Sequence, residues 1–312
     1  MSEITPRVVF LMGPTASGKT DLAIQLTQQL PFEIVSVDSA LVYRGMDIGT
    51  SKPNRQLIES IPHHLIDICD PSEAYSASQF SADALSLIQS IIHRQKIPLL
   101  VGGTMLYFRA LQYGLSDLPS AAPELRQRID EQAQQLGWQA MHQRLRNIDP
   151  DAAERIHPND PQRIQRALEV YELTGQAMTD YWKKQKREKF PFDLFKIALY
   201  PEDRQFLYKT INQRFEMMLE EGLINEVKGF YERGDLNLNM PSMRAVGYRQ
   251  VWQYFEQELN FQAMKSKAMT ATRQLAKRQL TRLRAEQDVT WFSMQDKKLL
   301  DQVLKSLEKI PI

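Results

Sequence analysis

The chain has 312 residues, of which 43% are hydrophobic, and 39 lysines and arginines stand against 38 aspartates and glutamates. This suits a globular protein with an ample core, and no stretch approaches the roughly 18 consecutive apolar residues of a membrane-spanning helix. The single cysteine, Cys69, excludes an internal disulfide and a cysteine-based zinc site. The N-terminus lacks signal-peptide features, so we expect a cytoplasmic protein.

Short apolar runs alternate with helical patterns over the first hundred residues. The apolar runs predict strands at residues 8–12, 33–37, 65–69 and 97–101, and amphipathic patterns predict helices at 20–30 and 78–95. This alternation is typical of the α/β class, in which helices cover both faces of a parallel sheet.

The pattern changes near Pro119. From there to Lys189 the sequence is helical, polar and rich in arginine and glutamine, with Asp160 and Pro161 starting one helix and Gly175 ending it. A charged stretch at 182–189 precedes an apolar run at 194–199, further helices and a last apolar run at 289–292. We expect an α/β core, residues 1–117 and 190–312, interrupted by an inserted helical domain, residues 118–189.

The segment GPTASGKT, residues 13–20, has the spacing of a phosphate-binding P-loop between a predicted strand and a predicted helix. Its glycines let several backbone N–H groups point at one anion, and the N-terminus of the following helix favours negative charge. Lys19 would neutralise the outer phosphates, and the hydroxyl of Thr20 would bind Mg²⁺. The segment predicts a nucleotide- or pyrophosphate-binding site on a P-loop NTPase-like core. Its members are Gly13, Pro14, Thr15, Ala16, Ser17, Gly18, Lys19 and Thr20.

The P-loop alone does not identify the reaction. A motor or switch NTPase usually ends an apolar strand in an aspartate that supports Mg²⁺, whereas the run 97–101 ends in Gly102, Gly103 and Thr104. The strand-end carboxylate is Asp38 instead. Because ligands of doubly wound sheets lie beyond the carboxyl ends of the strands, Asp38 and Thr104 should face the P-loop crevice. Asp38 could support a metal, act as a general base or be a solvated loop residue.

Residues 265–284 carry seven basic residues and no acidic one. They are Lys265, Lys267, Arg273, Lys277, Arg278, Arg282 and Arg284. A cationic helix without carboxylates is typical of a nucleic-acid-binding surface, although a solvated face gives the same pattern.

Seven segments, in this order, resemble the bacterial tRNA dimethylallyltransferases. They are GPTASGKT, DSALVYRGMDIGTSKP (38–53), PHHLIDI (62–68), GGTMLYF (102–108), NDPQRIQRALEVYELTG (159–175), MRAVGYRQ (243–250) and RQLAKRQLTRLR (273–284). The resemblance runs from Val8 to about Phe292. It implies transfer of a dimethylallyl group from dimethylallyl diphosphate to N6 of the adenosine 3′-adjacent to the anticodon. Many relatives have glutamine where this chain has Leu41, and longer eukaryotic relatives carry a zinc finger that one cysteine cannot build.

The resemblance also implies a role for each matched residue. The P-loop would hold the pyrophosphate with Mg²⁺ on Thr20, and Asp38 would take the N6 proton. Lys19 and Thr104 would act at the reacting centre, where Arg126 would also contact substrate. Residues expected to meet the anticodon stem-loop of tRNA are Asp38, Ser39, Ala40, Leu41, Thr104, Arg126, Gln162, Arg163, Ile164, Gln165, Arg166, Arg244, Ala245, Val246, Gly247, Tyr248, Arg249, Lys277, Arg278, Gln279, Leu280, Thr281, Arg282, Leu283 and Arg284. We expect a monomer that needs no membrane.

Three other functions are compatible with a P-loop. The main alternative is a nucleotide or small-metabolite kinase, with the helical insertion as its lid, but such an enzyme has no use for the cationic segment. A prenyltransferase acting on free adenine nucleotides, or an RNA-binding NTPase switch, would use the same loop. The segments expected to face tRNA argue against the former, and the missing aspartate after residues 97–101 argues against the latter.

Overall fold

The computed structural model describes residues 7–184 and 190–308, and the chain forms two compact units. Unit 1 comprises Met1–Gln112 with Phe190–Ile312, and unit 2 comprises Tyr113–Lys189. Unit 2 thus begins after Gln112, whereas the sequence predicts the boundary after residue 117. The charged stretch at 182–189 ends on residues 185–189, which lie outside the described residues.

The described part of unit 1 contains one parallel sheet of six strands. The strands are β1 (Arg7–Met12), β2 (Phe32–Val37), β3 (His63–His64), β4 (Ile97–Gly102), β5 (Asp193–Tyr200) and β6 (Val289–Ser293). Their order across the sheet is β3-β2-β4-β1-β5-β6, so β1 pairs with β4 on one side and β5 on the other. Every residue of β2 is buried, as expected for a strand covered on both faces. The predicted P-loop NTPase-like α/β class is confirmed.

The ends of the helices agree closely with the ends that the sequence predicts where capping residues are present. They are α1 (Lys19–Gln29), α2 (Arg55–Ser60), α3 (Ala77–His93), α4 (Met105–Tyr113), α5 (Pro123–Leu136), α6 (Trp138–Ile148), α7 (Pro150–Arg155), α8 (Pro161–Thr174), α9 (Met178–Lys184), α10 (Arg204–Glu220), α11 (Leu223–Glu232), α12 (Tyr248–Phe255), α13 (Phe261–Leu283) and α14 (Leu299–Glu308). The side chain of Asp160 caps α8, and Gly175 ends it with φ of +68°. Among the helices of the described residues, none has the length and apolarity that a bilayer crossing requires.

Unit 1 has apolar cores on both sheet faces and a further core among the C-terminal helices. In that third core, Val42, Tyr43 and Met46 of the segment after β2 pack with residues of α10 to α13, including Leu223 and Tyr248. The segment that carries Asp38 is therefore anchored to helices that the chain supplies much later. Unit 2 has its own core, in which Ile129, Leu145 and Ile164 from three helices meet.

The prediction of a strand at residues 65–69 is wrong. The third strand is only His63–His64, and the chain then turns, with Leu65 at φ +60° and Asp67 at φ +56°. These left-handed conformations cannot continue a strand. The amide N–H groups of Asp67 and Ile68 donate instead to the carbonyls of Leu41 (3.1 Å) and Val42 (2.8 Å). The apolar run therefore braces the segment after β2.

Candidate active site

The phosphate loop joins β1 to α1 in the arrangement that the sequence predicts. Gly18 has φ of +76°, a left-handed conformation that favours glycine, and stands at the N-cap of α1 without a side-chain cap. The first-turn N–H groups of α1 therefore have no side-chain acceptor from the cap residue, which suits them to an anion. Thr20 is exposed in that first turn, so its hydroxyl is accessible to a metal ion on the phosphates.

Lys19 folds back over this loop. Its Nζ donates to the carbonyl of Pro14 at 2.6 Å and to Ser17 Oγ at 3.3 Å. Burial, and after it the positive charge of Arg214, lowers the pKa of Lys19 to about 7, while the carboxylate of Asp38 acts in the opposite direction. Two positive charges that repel each other would be stabilised by a bound anion, and a diphosphate would supply the negative charge.

Asp38 directly follows β2, and its two sequence neighbours are hydrogen-bonded to Thr104, two residues after β4. Oδ1 of Asp38 accepts the N–H of Ala40 at 2.8 Å and of Leu41 at 3.4 Å. Within the described residues, its other oxygen, Oδ2, has no hydrogen-bond partner, and the residue is half-buried. Thr104 Oγ1 accepts the N–H of Ser39 at 3.1 Å, and its own N–H donates to the Val37 carbonyl at 3.2 Å. Because β1 and β2 both flank β4, the three loops meet at one edge of the sheet.

Gln279 on α13 ties two of these loops together. Its Oε1 accepts the amide N–H of Thr15 at 2.8 Å, and its Nε2 donates to the Gly103 carbonyl at 3.0 Å. A Cβ atom on Gly103 would lie 2.4 Å from that Nε2, so only glycine admits the contact. The resemblance implied that Gln279 meets tRNA. Here both polar atoms of its side chain are engaged within the protein.

Arg214 on α10 belongs to this site, although sequence reasoning missed it. Its Nε donates to Ser51 Oγ at 2.6 Å, and its charge acts on Lys19. Burial lowers the pKa of Arg214, and the carboxylate of Asp38 is the largest of the opposing influences. A signal was present in the sequence. Arg214 is on the apolar stripe of α10, seven positions after Leu207 and three after Ile211. A charged residue at such a position is unusual unless it has a partner or a ligand.

The basic face predicted on α13 is exposed. Lys277, Arg278, Thr281, Arg282 and Arg284 are exposed, whereas Leu280 and Leu283 are buried in the core. No ion pair forms on the four cations of this set within the described residues. Because Leu280 and Leu283 are buried, their side chains anchor α13 to the core, and only their exposed neighbours are available for contact with RNA.

The segment 244–249 divides in the same way. Arg244 and Arg249 are exposed, and Ala245 and Val246 are half-buried. Gly247 is buried, and Tyr248 is wholly buried with its hydroxyl donating to Glu226. The Tyr248 side chain is therefore part of the core, and only the two arginines present a charge to the solvent.

In unit 2, a buried carboxylate accepts hydrogen bonds from two of the predicted RNA-binding arginines. Glu169 is fully buried and accepts from Arg126 Nε (2.8 Å) and Nη2 (3.0 Å), from Arg166 Nη1 (2.6 Å) and from the N–H of Ala122 (2.8 Å). Burial opposes ionisation of Glu169, but the hydrogen bonds from Arg126 and Arg166 outweigh it and lower the pKa.

The other predicted residues of α8 have different environments. Gln165 Nε2 donates to Asp130 Oδ1 at 2.6 Å, and Gln162 and Arg163 are exposed, the latter paired with Asp160. Ile164 is buried in the core of unit 2, so its side chain only supports the face. Unit 2 thus presents two arginines in fixed orientations beside exposed polar residues.

A parallel α/β sheet with a P-loop after its first strand, and a carboxylate after β2 on the far side of β4, is the arrangement of a P-loop enzyme. The chain belongs to the IPP transferase family. The family model described as IPP transferase matches residues 41–286, and the one described as isopentenyl transferase matches residues 6–73.

Named relatives and solved structures agree with this family. The tRNA dimethylallyltransferase of Coxiella burnetii is 54% identical over 305 residues, covering 98% of each chain, and that of Thioalkalivibrio sulfidiphilus is 55% identical over 292 residues, covering 94% of this chain and 91% of the relative. A full-length tRNA isopentenylpyrophosphate transferase from Bacillus halodurans superposes with a TM-score of 0.69 at 39% identity, covering 97% of each chain. A eukaryotic dimethylallyltransferase acting on tRNA gives 0.80 at 27% identity, covering 99% of this chain and 81% of that chain.

Proposed function

We propose that this protein transfers the dimethylallyl group of dimethylallyl diphosphate to N6 of the adenosine 3′-adjacent to the anticodon of tRNAs, releasing diphosphate. Family membership and the named relatives support the tRNA prenylation activity. The observation that carries the donor and acceptor roles is the shared neighbourhood of Lys19, Arg214 and Asp38. Lys19 and Arg214 would stabilise the leaving diphosphate, and Asp38 would accept a proton.

The donor side of the reaction needs stabilisation of negative charge. As the allylic C–O bond breaks, its electron pair leaves with the diphosphate, and Lys19, Arg214 and the loop N–H groups would stabilise that charge. Preorganised stabilisation of this kind is usually the largest catalytic contribution. The exposed hydroxyl of Thr20 would hold Mg²⁺, which commonly takes one or two protein oxygens together with substrate phosphates and water. When bound, the ion would neutralise phosphate charge.

The acceptor side needs a base. The adenine N6 lone pair is delocalised into the ring, so removal of an N6 proton while the N–C bond forms assists the attack. The free Oδ2 of Asp38 would take that proton, while Oδ1 keeps the carboxylate in place through Ala40 and Leu41. The target base must leave its stack to reach such a site, and an anticodon loop offers unstacked bases.

The exposed arginines of α13 and the Arg126–Arg166 pair of unit 2 support contacts with the tRNA backbone.

The kinase alternative is set aside, because the family and its named relatives are transferases of isopentenyl or dimethylallyl groups. A tRNA substrate also favours action in the cytoplasm. We expect the active form to be a monomer, which light scattering of the purified protein would check.

Incubation with undermodified tRNA and labelled dimethylallyl diphosphate tests the proposal. Label should appear in the tRNA, at the adenosine 3′ to the anticodon, with release of one diphosphate for each group transferred. Parallel reactions with free AMP and with labelled ATP test the alternatives. Label in AMP, or phosphoryl transfer from ATP to a small metabolite without tRNA labelling, would replace the proposal.

A further inference from the structure

The carboxylate of Glu226, on α11, receives four hydrogen bonds. Its Oε2 accepts the backbone N–H of Asp47 at 3.0 Å and of Ile48 at 2.7 Å, and its Oε1 accepts the N–H of Gly49 at 3.1 Å. The buried hydroxyl of Tyr248 also donates to Oε1. Charge-assisted bonds of this kind are stronger than neutral ones, so three consecutive peptides of the segment after β2 are fixed to one side chain.

Close packing reinforces this attachment. A Cβ atom on Gly49 would lie 2.5 Å from the ring of Tyr248 and 2.8 Å from Leu223 Cδ1, so the backbone can approach only because this residue is glycine. Burial, and after it the charge of Glu226, raises the pKa of Tyr248, so the phenol keeps the proton that it donates. The peptides at 47–49 thus have little freedom to move relative to α11 and α12.

The fixed peptides lead directly to the active site. Two residues after Gly49, Ser51 has φ of +51°, and its Oγ accepts Nε of Arg214 at 2.6 Å. Ile211, three residues before Arg214 on α10, packs in one apolar cluster with Ala16 of the phosphate loop, so this part of α10 lies against the loop. There the positive charge of Arg214 lowers the pKa of Lys19, and the carboxylate of Asp38 raises the pKa of Arg214. Repulsion from Lys19 would favour a guanidinium that turns away, and the bond to Ser51 opposes that movement.

We propose that Glu226 is a positioning residue for the donor substrate: through the peptides at 47–49 and Ser51 it holds the guanidinium of Arg214 beside Lys19. The inference rests on the proposed function, because it assigns Arg214 to the diphosphate of the donor. Glu226 itself touches neither substrate. Its effect should therefore appear in the affinity for diphosphate groups and disappear when Arg214 is removed.

The experiment compares Glu226→Gln with the wild-type protein and with Glu232→Gln, an exposed change of the same chemistry on the same helix. A glutamine keeps one acceptor oxygen but turns an amide N–H₂ toward the donors of Gly49 and Tyr248. We expect KM for dimethylallyl diphosphate, and the Kd of inorganic pyrophosphate measured by calorimetry, to rise about tenfold, the size of one weakened hydrogen bond to a charged group. KM for tRNA should change less than about twofold, and Glu232→Gln should match the wild type in all three.

A double-mutant cycle separates positioning from a general loss of structure. In an Arg214→Ala background, Glu226→Gln should change the Kd of pyrophosphate by less than about twofold. An equal effect in both backgrounds, an unchanged Kd in the single variant, or parallel losses for tRNA and pyrophosphate would each overturn the inference. If Glu226→Gln does not fold, Tyr248→Phe removes one donor to the same carboxylate and should raise the Kd two- to fivefold, again only while Arg214 is present. Pyrophosphate binding needs no tRNA, so a protein that binds it but labels no tRNA would contradict the proposed function alone.

Discussion

Thr15 and Gln279 are joined by a hydrogen bond across 264 positions of sequence, with the amide N–H of Thr15 donating to Gln279 Oε1 at 2.8 Å. Since Gln279 is on the basic helix α13, this bond links the proposed RNA-binding surface to the phosphate loop. The second bond of the same side chain, to the Gly103 carbonyl, extends the link to the loop that carries Thr104.

Removal of this link should affect the donor site more than the RNA site. We expect Gln279→Ala to lower the free energy of unfolding by about 1–3 kcal/mol, because the Thr15 N–H and the Gly103 carbonyl lose their partner. Calorimetry should show weaker pyrophosphate binding, with tRNA affinity little changed. Gln274→Ala, an exposed change on the same helix, is the control. A selective loss of tRNA affinity would instead favour a direct contact between Gln279 and RNA.

The lowered pKa of Lys19 makes donor binding dependent on pH. With a pKa of about 7, Lys19 in the free protein loses its proton as the pH rises through neutrality, so pyrophosphate affinity should fall between pH 6 and pH 8. Lys19→Ala should remove this part of the dependence and cut turnover about a hundredfold or more. The ligand's own ionisation is the same for both proteins, so their difference isolates Lys19. Arg214→Ala should move the midpoint upward, and a downward shift would contradict the repulsion between the two cations.

Asp38→Asn tests the general base. An asparagine keeps the Oδ1 acceptor for Ala40 and Leu41, so the loop should hold its shape while the proton acceptor is lost. We expect the single-turnover rate to fall about a hundred- to ten-thousandfold with tRNA still bound. A magnesium series checks the alternative, because rescue by excess Mg²⁺ would assign Asp38 to the metal instead.

The exposed cations of α13 should control the salt dependence of tRNA binding. For Arg278→Ala with Arg282→Ala, the slope of log affinity against log salt should fall by roughly 0.7–0.9 for each tRNA phosphate that the variant no longer neutralises. A control of equal charge is Arg55→Ala with Lys228→Ala, two exposed cations that pair with Glu59 and Glu232. Equal slopes in the two double variants would show that the α13 face is merely solvated.

The buried Glu169 should contribute to stability in a pH-dependent way. Its pKa is lowered on folding, so its stabilising effect is present above the pKa of the unfolded chain, near 4.5, and is lost as the pH falls below it. Glu169→Gln should therefore lower the melting temperature at pH 7 and have a smaller effect near pH 4. Thermal unfolding at the two pH values checks this, and a difference that grows in acid would contradict it.

What the sequence could predict of this site depended on how locally each feature is encoded. The P-loop and Asp38 directly follow strands, and Thr104 lies two residues after one, so the rule for parallel sheets brings them together without further information. Arg214 and Glu226 are hydrogen-bonded to residues more than 160 positions earlier, and no local pattern predicts such partners.

The one misplaced strand has a related cause. Residues 65–69 are apolar enough for a strand, but Leu65 and Asp67 adopt left-handed conformations because the turn is bonded to Leu41 and Val42 and to the ammonium of Lys52. Long-range contacts outweighed the local preference there. For the same reason, the side chains of Tyr248 and Gln279, matched by motif to RNA contacts, have their polar atoms engaged inside the protein.

The position of β1 between β4 and β5 has a consequence for synthesis on the ribosome. β4 ends at Gly102 and β5 begins at Asp193, so about 90 residues are translated before the second partner of β1 exists. At roughly 5–20 residues per second, the apolar edge of β1 stays without that partner for about 5–18 seconds. An unpaired central strand is a template for pairing with other chains. The nascent protein therefore passes through a stage in which a strand from the middle of the finished sheet is an open edge, and the synthesis of β5 ends that stage.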